Sequence, residues 1–358
     1  MHHSTVFTLV LKILTNLSSC FIFLPCNRTG YENHVKQYYK DPVQLSATIG
    51  LKQDGNDGVD LTNKVVVITG ANAGMGKEIT TYAVAKNAKV YMVCRSKERA
   101  EQARQDILKS VSSEQVNESN VKILLADVGE LDQVRSIVKE LQSNEQKVDV
   151  LVCNAGVLLN DKKVTSTGME MTFASHFLGG SYLLSQLLIP QLKNADNQNG
   201  KVIYVSSAGM YNTKFPNWET ATSSPEADHK YDGQFAYAYA KRGQVLLAEQ
   251  MTKLQPDITW VSCHPGWAAT NAVEQAYGDT KKYLEPMRTP WQGCEGICWL
   301  MGGKNATPSE LEGGAFYLDR KPQKKHFAGP FFTEGSYTKN TQKEIDVMMN
   351  KLKEVTGV

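Results

Sequence analysis

Lys64-Val65-Val66-Val67-Ile68-Thr69-Gly70-Ala71-Asn72-Ala73-Gly74-Met75-Gly76 is the stretch that decides the fold. Its first half is a β-branched apolar run that stops at a glycine, the pattern of a short buried strand. Beyond Gly76, the residues Ile79, Tyr82, Ala83 and Ala85 recur at helical spacing. A strand, a glycine-rich turn and a helix start make the place where the pyrophosphate of a dinucleotide rests on helix-terminal N–H groups. The glycines follow Gly-x3-Gly-x-Gly, not the commoner Gly-x-Gly-x-x-Gly.

Outward from this unit, apolar runs alternate with longer helical patterns. Strands are expected near 64–69, 89–94, 121–126, 148–153, 200–206, 257–263 and 314–319, with helices between them. Such alternation implies right-handed crossovers and an α/β, doubly wound parallel sheet of about seven strands with helices on both faces. The expected organisation is one Rossmann-type domain over 61–325, an N-terminal extension over 1–60 and a C-terminal tail over 326–358. In the tail, Ile345, Met348, Met349, Leu352 and Val355 keep helical spacing and read as a packing helix. Ligands in open α/β sheets bind beyond the carboxyl ends of strands, so the two weakly periodic stretches, 211–234 and 268–290, are expected near a site.

Tyr237 and Lys241 lie four residues apart, about one helical turn, and so share one side of a helix. An ammonium beside a phenol favours the phenolate and is expected to lower the tyrosine pKa from its reference near ~10. A tyrosine tuned in this way can pass a proton to or from a carbonyl or hydroxyl oxygen.

Taken with further motifs, the chain resembles the short-chain dehydrogenase/reductase family. Thr69 through Gly76 resembles the family's cofactor motif, Thr-Gly-x3-Gly-x-Gly. Asn154-Ala155-Gly156 follows the fourth strand as the family's Asn-Ala-Gly does. Lys201 through Ser207 resembles the fifth strand with its terminal serine, and of Ser206 and Ser207 the latter is the better match. Tyr237 and Lys241 match Tyr-x3-Lys, and Pro265-Gly266 with Thr270 matches the exit of the sixth strand. Five motifs stand in the family's order over roughly 60–320. Segments around Ser206–Met210, Tyr237–Arg242, His264–Ala268 and Asp319–Pro322 narrow the likeness to one subfamily, as does Thr29–Glu32 ahead of the domain.

The resemblance implies a carbonyl–alcohol oxidoreductase in which Ser207 bonds the substrate oxygen. Tyr237 would be general acid in reduction and general base in oxidation. Lys241 would lower the tyrosine pKa and hold the nicotinamide ribose. The implied cofactor contacts are Gly70, Asn72, Ala73, Gly74, Met75 and Gly76, Asp127 and Val128 near the adenine, Asn154, Ala155 and Gly156, Tyr237 and Lys241, and Pro265, Gly266 and Thr270.

An NAD-preferring site usually carries an acidic residue about ~20 residues beyond the glycines. Here the second strand ends Val93-Cys94-Arg95-Ser96-Lys97, with no carboxylate before Glu98. Arg95 can pair with a 2′-phosphate and Ser96 can add a hydrogen bond. NADP(H) is therefore expected over NAD(H).

One departure stands out. Where the family often has an asparagine that helps a water-mediated proton relay, this chain has His176, in a segment one residue longer than usual. Histidine can donate and accept, so His176 is either a relay replacement or a packing residue. With it, a second function class stays open: a dinucleotide-bound sensor or scaffold with vestigial chemistry.

The formal charge of +2 on 358 residues argues against nucleic acid as a main partner. The expected partner is a small carbonyl or alcohol. Trp267, Tyr277, Tyr283 and Trp291 suggest an apolar pocket for it. Cys94, Cys153 and Cys263 fall at strand ends as ordinary core thiols. No histidine or cysteine pair completes a zinc set beside Cys294 and Cys298, so no metal is expected. Val6–Pro25 is largely apolar but interrupted by Lys12, Asn16, Ser18 and Ser19. It reads as a weak membrane anchor, an amphipathic element or an unstructured extension. Membrane contact is slightly favoured, and the location is cytoplasmic or membrane-associated. A chain beginning near Tyr31 is expected to fold and bind cofactor.

Overall fold

The computed structural model describes residues 26–37, 59–111, 118–196, 200–270, 273–274, 278–279, 284–303, 305–326 and 336–358. Val6–Pro25, Tyr277 and Tyr283 lie outside the described residues. Among the described residues, no helix is long and apolar enough to cross a membrane.

An N-terminal helix, α1 (Arg28–Gln37), precedes the alternating core. The core then runs β1 (Val65–Thr69), α2 (Gly74–Ala85), β2 (Lys89–Cys94), α3 (Lys97–Ser110), β3 (Val121–Leu125), α4 (Leu131–Asn144) and β4 (Val150–Cys153). Next comes α5, which begins as Met171–Phe173, continues as the π-helical Ala174–Leu183 and ends as Leu184–Leu187. It is followed by β5 (Lys201–Val205), α6 (Gly233–Leu254), β6 (Thr259–Cys263), α7 (Pro290–Gly302), β7 (Phe316–Leu318), β8 (Lys321–Gln323) and α8 (Gln342–Thr356). The sheet order is β3-β2-β1-β4-β5-β6-β7-β8. Every pair is parallel except β7 with β8.

Side chains alternate across the strands and build two cores. Val65, Val67, Tyr91, Leu151, Tyr204 and Trp260 face α4, α5, α6 and α8. Val66, Ile68, Val90, Met92, Ile203 and Val261 face α2, α3 and α7. Each fully buried aliphatic side chain contributes about 1.5–3 kcal/mol relative to exposure, so a one-residue slip of register would be heavily disfavoured. Cys94, Cys153 and Cys263 are buried at the last positions of β2, β4 and β6, as small core residues. The tail helix α8 buries Ile345, Met348 and Leu352 in the first of these cores, while Val355 stays exposed.

The eighth strand is the element the sequence pattern lacks. Lys321-Pro322-Gln323 has neither apolar alternation nor β-branching, and proline suits only an edge strand. Its hairpin turns at Asp319 (φ 50°) and Arg320 (φ 63°), two successive left-handed residues. Aspartate tolerates that region and arginine seldom does. Buried ion pairs hold both: Arg288 grips Asp319 through two bonds of 2.6 and 2.7 Å, and Arg320 pairs with Glu295.

Candidate active site

All the exits implied by the motifs converge on the carboxyl edge of the sheet. Gly70 (φ 67°) and Gly74 (φ 49°) adopt the left-handed region that turns the chain from β1 into α2. At Gly76 a Cβ would lie 2.1 Å from the Gly70 carbonyl oxygen, so only glycine lets α2 seat this close. Thr69 fastens the neighbouring exit of β4: its hydroxyl accepts the N–H groups of Asn154 at 3.0 Å and Ala155 at 2.8 Å. The Asn154 side-chain amide donates to the Thr69 carbonyl at 3.0 Å.

The first turn of α2 fits an anion. Its N-cap is Ala73, which offers no side-chain acceptor to the N–H groups that a serine or aspartate would satisfy there. A Cβ built on Gly74 would meet nothing nearer than the Thr270 methyl at 3.9 Å, so the side facing the β6 exit is open. A dinucleotide pyrophosphate suits such a turn by charge and by space.

Arg95, at the end of β2, is exposed. Ser96 beside it caps α3, accepting the Arg99 N–H at 3.4 Å, so its hydroxyl serves its own helix. Asp127 turns inward on its loop, where its carboxylate accepts the Gly129 N–H at 3.0 Å. The adjacent Val128 is buried.

The two serines after β5 separate cleanly. Ser206 is buried and donates to the Lys241 carbonyl at 2.8 Å. Ser207 accepts the Gly209 N–H at 3.1 Å. A Cβ built on Gly209 would lie 3.6 Å from both the Ser207 hydroxyl oxygen and the Tyr237 ring edge, so the two side chains flank one spot. Both Tyr237 and Lys241 lie on α6, and the Lys241 ammonium stands 5.4 Å from the Tyr237 ring centroid. The lysine donates to the Val205 carbonyl at 2.6 Å and the Gln244 side-chain oxygen at 3.2 Å.

The expected depression of the tyrosine pKa is not found. Burial raises the Tyr237 phenol above its ordinary value, and the neighbouring Ser207 side chain only partly offsets this. Burial also pulls the Lys241 ammonium down to about 7. The lysine is turned toward the Val205 carbonyl and Gln244 and shows no resolved influence on the phenol.

His176 sits in the π-helical stretch of α5. A π turn holds more residues than an α turn and takes up a local surplus of chain, consistent with the long segment read in the sequence. The imidazole is buried, and burial, with Lys241 adding, keeps its pKa well below the ordinary value. Its Nε2 meets the Val157 N–H at 2.9 Å and the Val157 carbonyl at 2.7 Å, and its ring stands edge-on to Tyr237. Nδ1 has no hydrogen-bond partner among the described residues. A Cβ on Gly156 would fall 1.7 Å from the ring, so that glycine makes room for the histidine.

Gln244 is the connection that motif reading missed. Its amide nitrogen donates to the His176 carbonyl at 3.0 Å and to the Ser181 hydroxyl at 2.9 Å, while its oxygen holds Lys241. The available signal was position: Gln244 stands three residues after Lys241 on one helix face.

Of the four aromatic residues expected to line a substrate pocket, Tyr277 and Tyr283 lie outside the described residues, and Trp291 is placed elsewhere. Trp291 stacks on Tyr82, with centroids 6.0 Å apart, and packs against the second core. Tyr239 packs on Phe235 and, with Asn217 and Asp232, lines a cavity of about 550 Å³ under the 211–234 loop. Ser207, Tyr237 and Lys241 do not line that cavity.

Two buried imidazoles give a pH prediction. His264 is pulled down to about 3 and His176 well below 6.5, chiefly by burial. The unfolded chain therefore takes up these protons first, and the contribution to stability, full above about pH 6.5, is lost as pH falls below it. Urea unfolding should lose about 1.2 kcal/mol from His264 between pH 6 and pH 5, with His176 adding to the loss in the same direction. A midpoint that does not move over that interval would contradict neutral burial.

Comparison with known proteins agrees with this geometry. The family model for short chain dehydrogenase matches residues 64–218. A short-chain dehydrogenase/reductase of Armillaria gallica is 31% identical over 244 residues, covering 66% of this chain and 73% of that one. The human dehydrogenase/reductase SDR family member 12 is 29% identical over 323 residues, covering 90% of this chain and 92% of its own. Among solved structures, a short-chain dehydrogenase of Escherichia coli CFT073 in complex with NADPH superposes with TM-score 0.55 at 18% identity. That superposition covers 73% of this chain and 98% of the other. The chain belongs to the short-chain dehydrogenase/reductase family. It is accordingly an oxidoreductase that works on alcohol and carbonyl groups with a nicotinamide dinucleotide.

Proposed function

We propose that the protein interconverts a small carbonyl compound and its alcohol with NADP(H), using Tyr237 as the group that moves the proton. The observation that carries this reading is that Ser207 and Tyr237 meet across Gly209 beside Lys241, at the sheet edge that also holds the glycine turn. When bound, the nicotinamide supplies or receives the hydride. With its pKa raised by burial, Tyr237 is a phenol at neutral pH and is ready to protonate a developing alkoxide. Ser207 shares the substrate oxygen with it. Lys241, near its midpoint at pH 7, favours the phenolate that follows once a substrate or ribose hydroxyl draws its ammonium forward. The α2 N-terminus and the Asn154–Gly156 turn hold the pyrophosphate and ribose side of the cofactor.

The NADP(H) preference rests on exposed Arg95 and on the absence of a carboxylate at the β2 end. Arg95, not the capping Ser96, is the residue for the 2′-phosphate. We assign His176 to packing and to holding the Val157 loop, since its ring faces Val157 while its backbone carbonyl reaches Lys241 through Gln244. Gln244→Leu removes one acceptor from the ammonium and two donated bonds to α5, at the His176 carbonyl and the Ser181 hydroxyl, each bond contributing about 1 kcal/mol. Turnover should fall about threefold to tenfold with NADPH affinity little changed, as read by steady-state kinetics and calorimetry. An unchanged kcat would remove Gln244 from the account. The proposal as a whole is tested by NADPH consumption across a panel of aldehydes and ketones.

A further inference from the structure

The geometry points to a positioning role for residues 26–37: they strap the loop after β6 and thereby set the nicotinamide half of the cofactor site. This rests on the cofactor reading above. The segment was expected to be an extension outside the domain, yet its contacts fall on the loop after β6 and on the start of α7. The Trp267 N–H donates to the Cys26 carbonyl at 2.7 Å. Arg28 donates from its backbone to the Pro286 carbonyl at 2.9 Å and from its side chain to the Met287 carbonyl at 3.0 Å. Arg288 returns a bond to the Asn27 carbonyl at 3.2 Å and lies over the Tyr31 ring, 5.4 Å from its centroid. Further along the helix, His34 meets buried Glu295 at 3.4 Å.

Gly266 lies inside this clasp. It holds φ at 73°, and a Cβ there would come within 2.5 Å of both the Cys26 carbonyl oxygen and Arg288 Nε. The loop is thus held between the strap and a guanidinium that itself grips Asp319 in the β7–β8 turn. Burial makes the arrangement stiff: Tyr31, His34, Arg288, Glu295 and Arg320 are all buried. A buried ion network of this kind is weak evidence for net stability, since desolvation opposes its attraction, but it fixes one geometry well.

The direction of the effect follows from where the loop sits. Ser206, next to the serine of the site, bonds the Cys263 carbonyl at 2.7 Å, so the β6 exit adjoins Ser207, Tyr237 and Lys241. Hydride must be delivered beside Tyr237, which puts the nicotinamide at this end of the sheet. The 2′-phosphate end lies across the sheet at β2, while the recorded contacts of the strap fall on the β6 exit and α7. The strap should therefore matter for the nicotinamide half of the ligand and not for the adenosine half.

The test uses the full chain and two ligands. Calorimetry compares NADPH with 2′,5′-ADP, which carries the adenosine and phosphates but no nicotinamide. Hydrogen exchange follows the Trp267 amide without ligand. Tyr31→Ala should weaken NADPH fivefold or more (about 1 kcal/mol). It should leave 2′,5′-ADP unchanged and speed exchange at Trp267 about tenfold. Arg28→Ala removes an exposed side chain, cannot empty the core, and should shift both readouts the same way by less. Equal loss of both ligands, or an unchanged NADPH affinity while the 26–37 amides exchange freely, overturns the proposal. Should the unaltered protein bind neither ligand, the cofactor reading fails, and exchange at Trp267 in the two variants still decides whether the segment holds the loop.

Discussion

Tyr237→Phe should bind NADPH as the unaltered protein does and lose about 10²–10⁴ in turnover, the range that a positioned acid–base group supplies. The substitution keeps the ring, its edge-on packing against His176 and its place over the Lys241 ammonium. What disappears is the phenolic hydroxyl beside Ser207, and with it the proton that the account assigns to the developing alkoxide. The phenol is raised by burial, so it begins protonated at neutral pH and the loss should be full in the direction of carbonyl reduction. Fluorescence titration of NADPH and single-turnover kinetics separate binding from chemistry. A rate close to that of the unaltered protein would remove Tyr237 from the mechanism. Tyr239 is a poor substitute, since it packs on Phe235 along the loop cavity.

Arg95→Asp should raise the NADPH dissociation constant about 10²-fold or more and leave NADH nearly unchanged. A hydrogen bond to a charged group contributes about 1.5–3 kcal/mol, and reversing the charge adds a repulsion against the 2′-phosphate. The side chain is exposed at the β2 end, so its replacement disturbs no core contact. Parallel titrations with both dinucleotides read the difference. Equal losses for NADPH and NADH would show that Arg95 is a surface residue with no part in cofactor choice.

Much of the fold was legible because the sheet is buried on both faces. Val65 through Thr69 and Lys89 through Cys94 are near-continuous apolar runs, and both strands lie within a residue of where the pattern puts them. The glycine turn was legible for a steric reason, since Gly70, Gly74 and Gly76 stand where a side chain would be strained or would clash. What escaped depended on tertiary partners. β8 has no apolar signature and exists because two buried arginines, Arg288 and Arg320, hold a left-handed Asp319-Arg320 turn. Gln244 looked like any polar helix residue until Lys241 and the His176 carbonyl stood on either side of it. Helix α1 was grouped with the N-terminal extension because its anchors lie more than 200 residues further along the chain.

Electrostatics was the least legible layer. Sequence spacing correctly paired Tyr237 with Lys241 but gave the wrong direction for the tyrosine. The depth of burial and the acceptors of the ammonium are properties of the folded site. The same holds for His176, whose ring faces the Val157 loop and whose proton is lost to burial.

The central claim is that this site transfers hydride between a dinucleotide and a carbonyl, with the protein moving the proton. Its most direct test is NADPH absorbance during incubation of the purified full chain with a broad panel of aldehydes and ketones, with product alcohol measured alongside. The account predicts that at least one carbonyl is reduced with one NADPH consumed per alcohol formed, and that Tyr237→Phe abolishes this consumption. NADPH that binds tightly yet is never consumed with any carbonyl, nor regenerated from NADP with any alcohol, would contradict it and mark the protein as a dinucleotide-bound module.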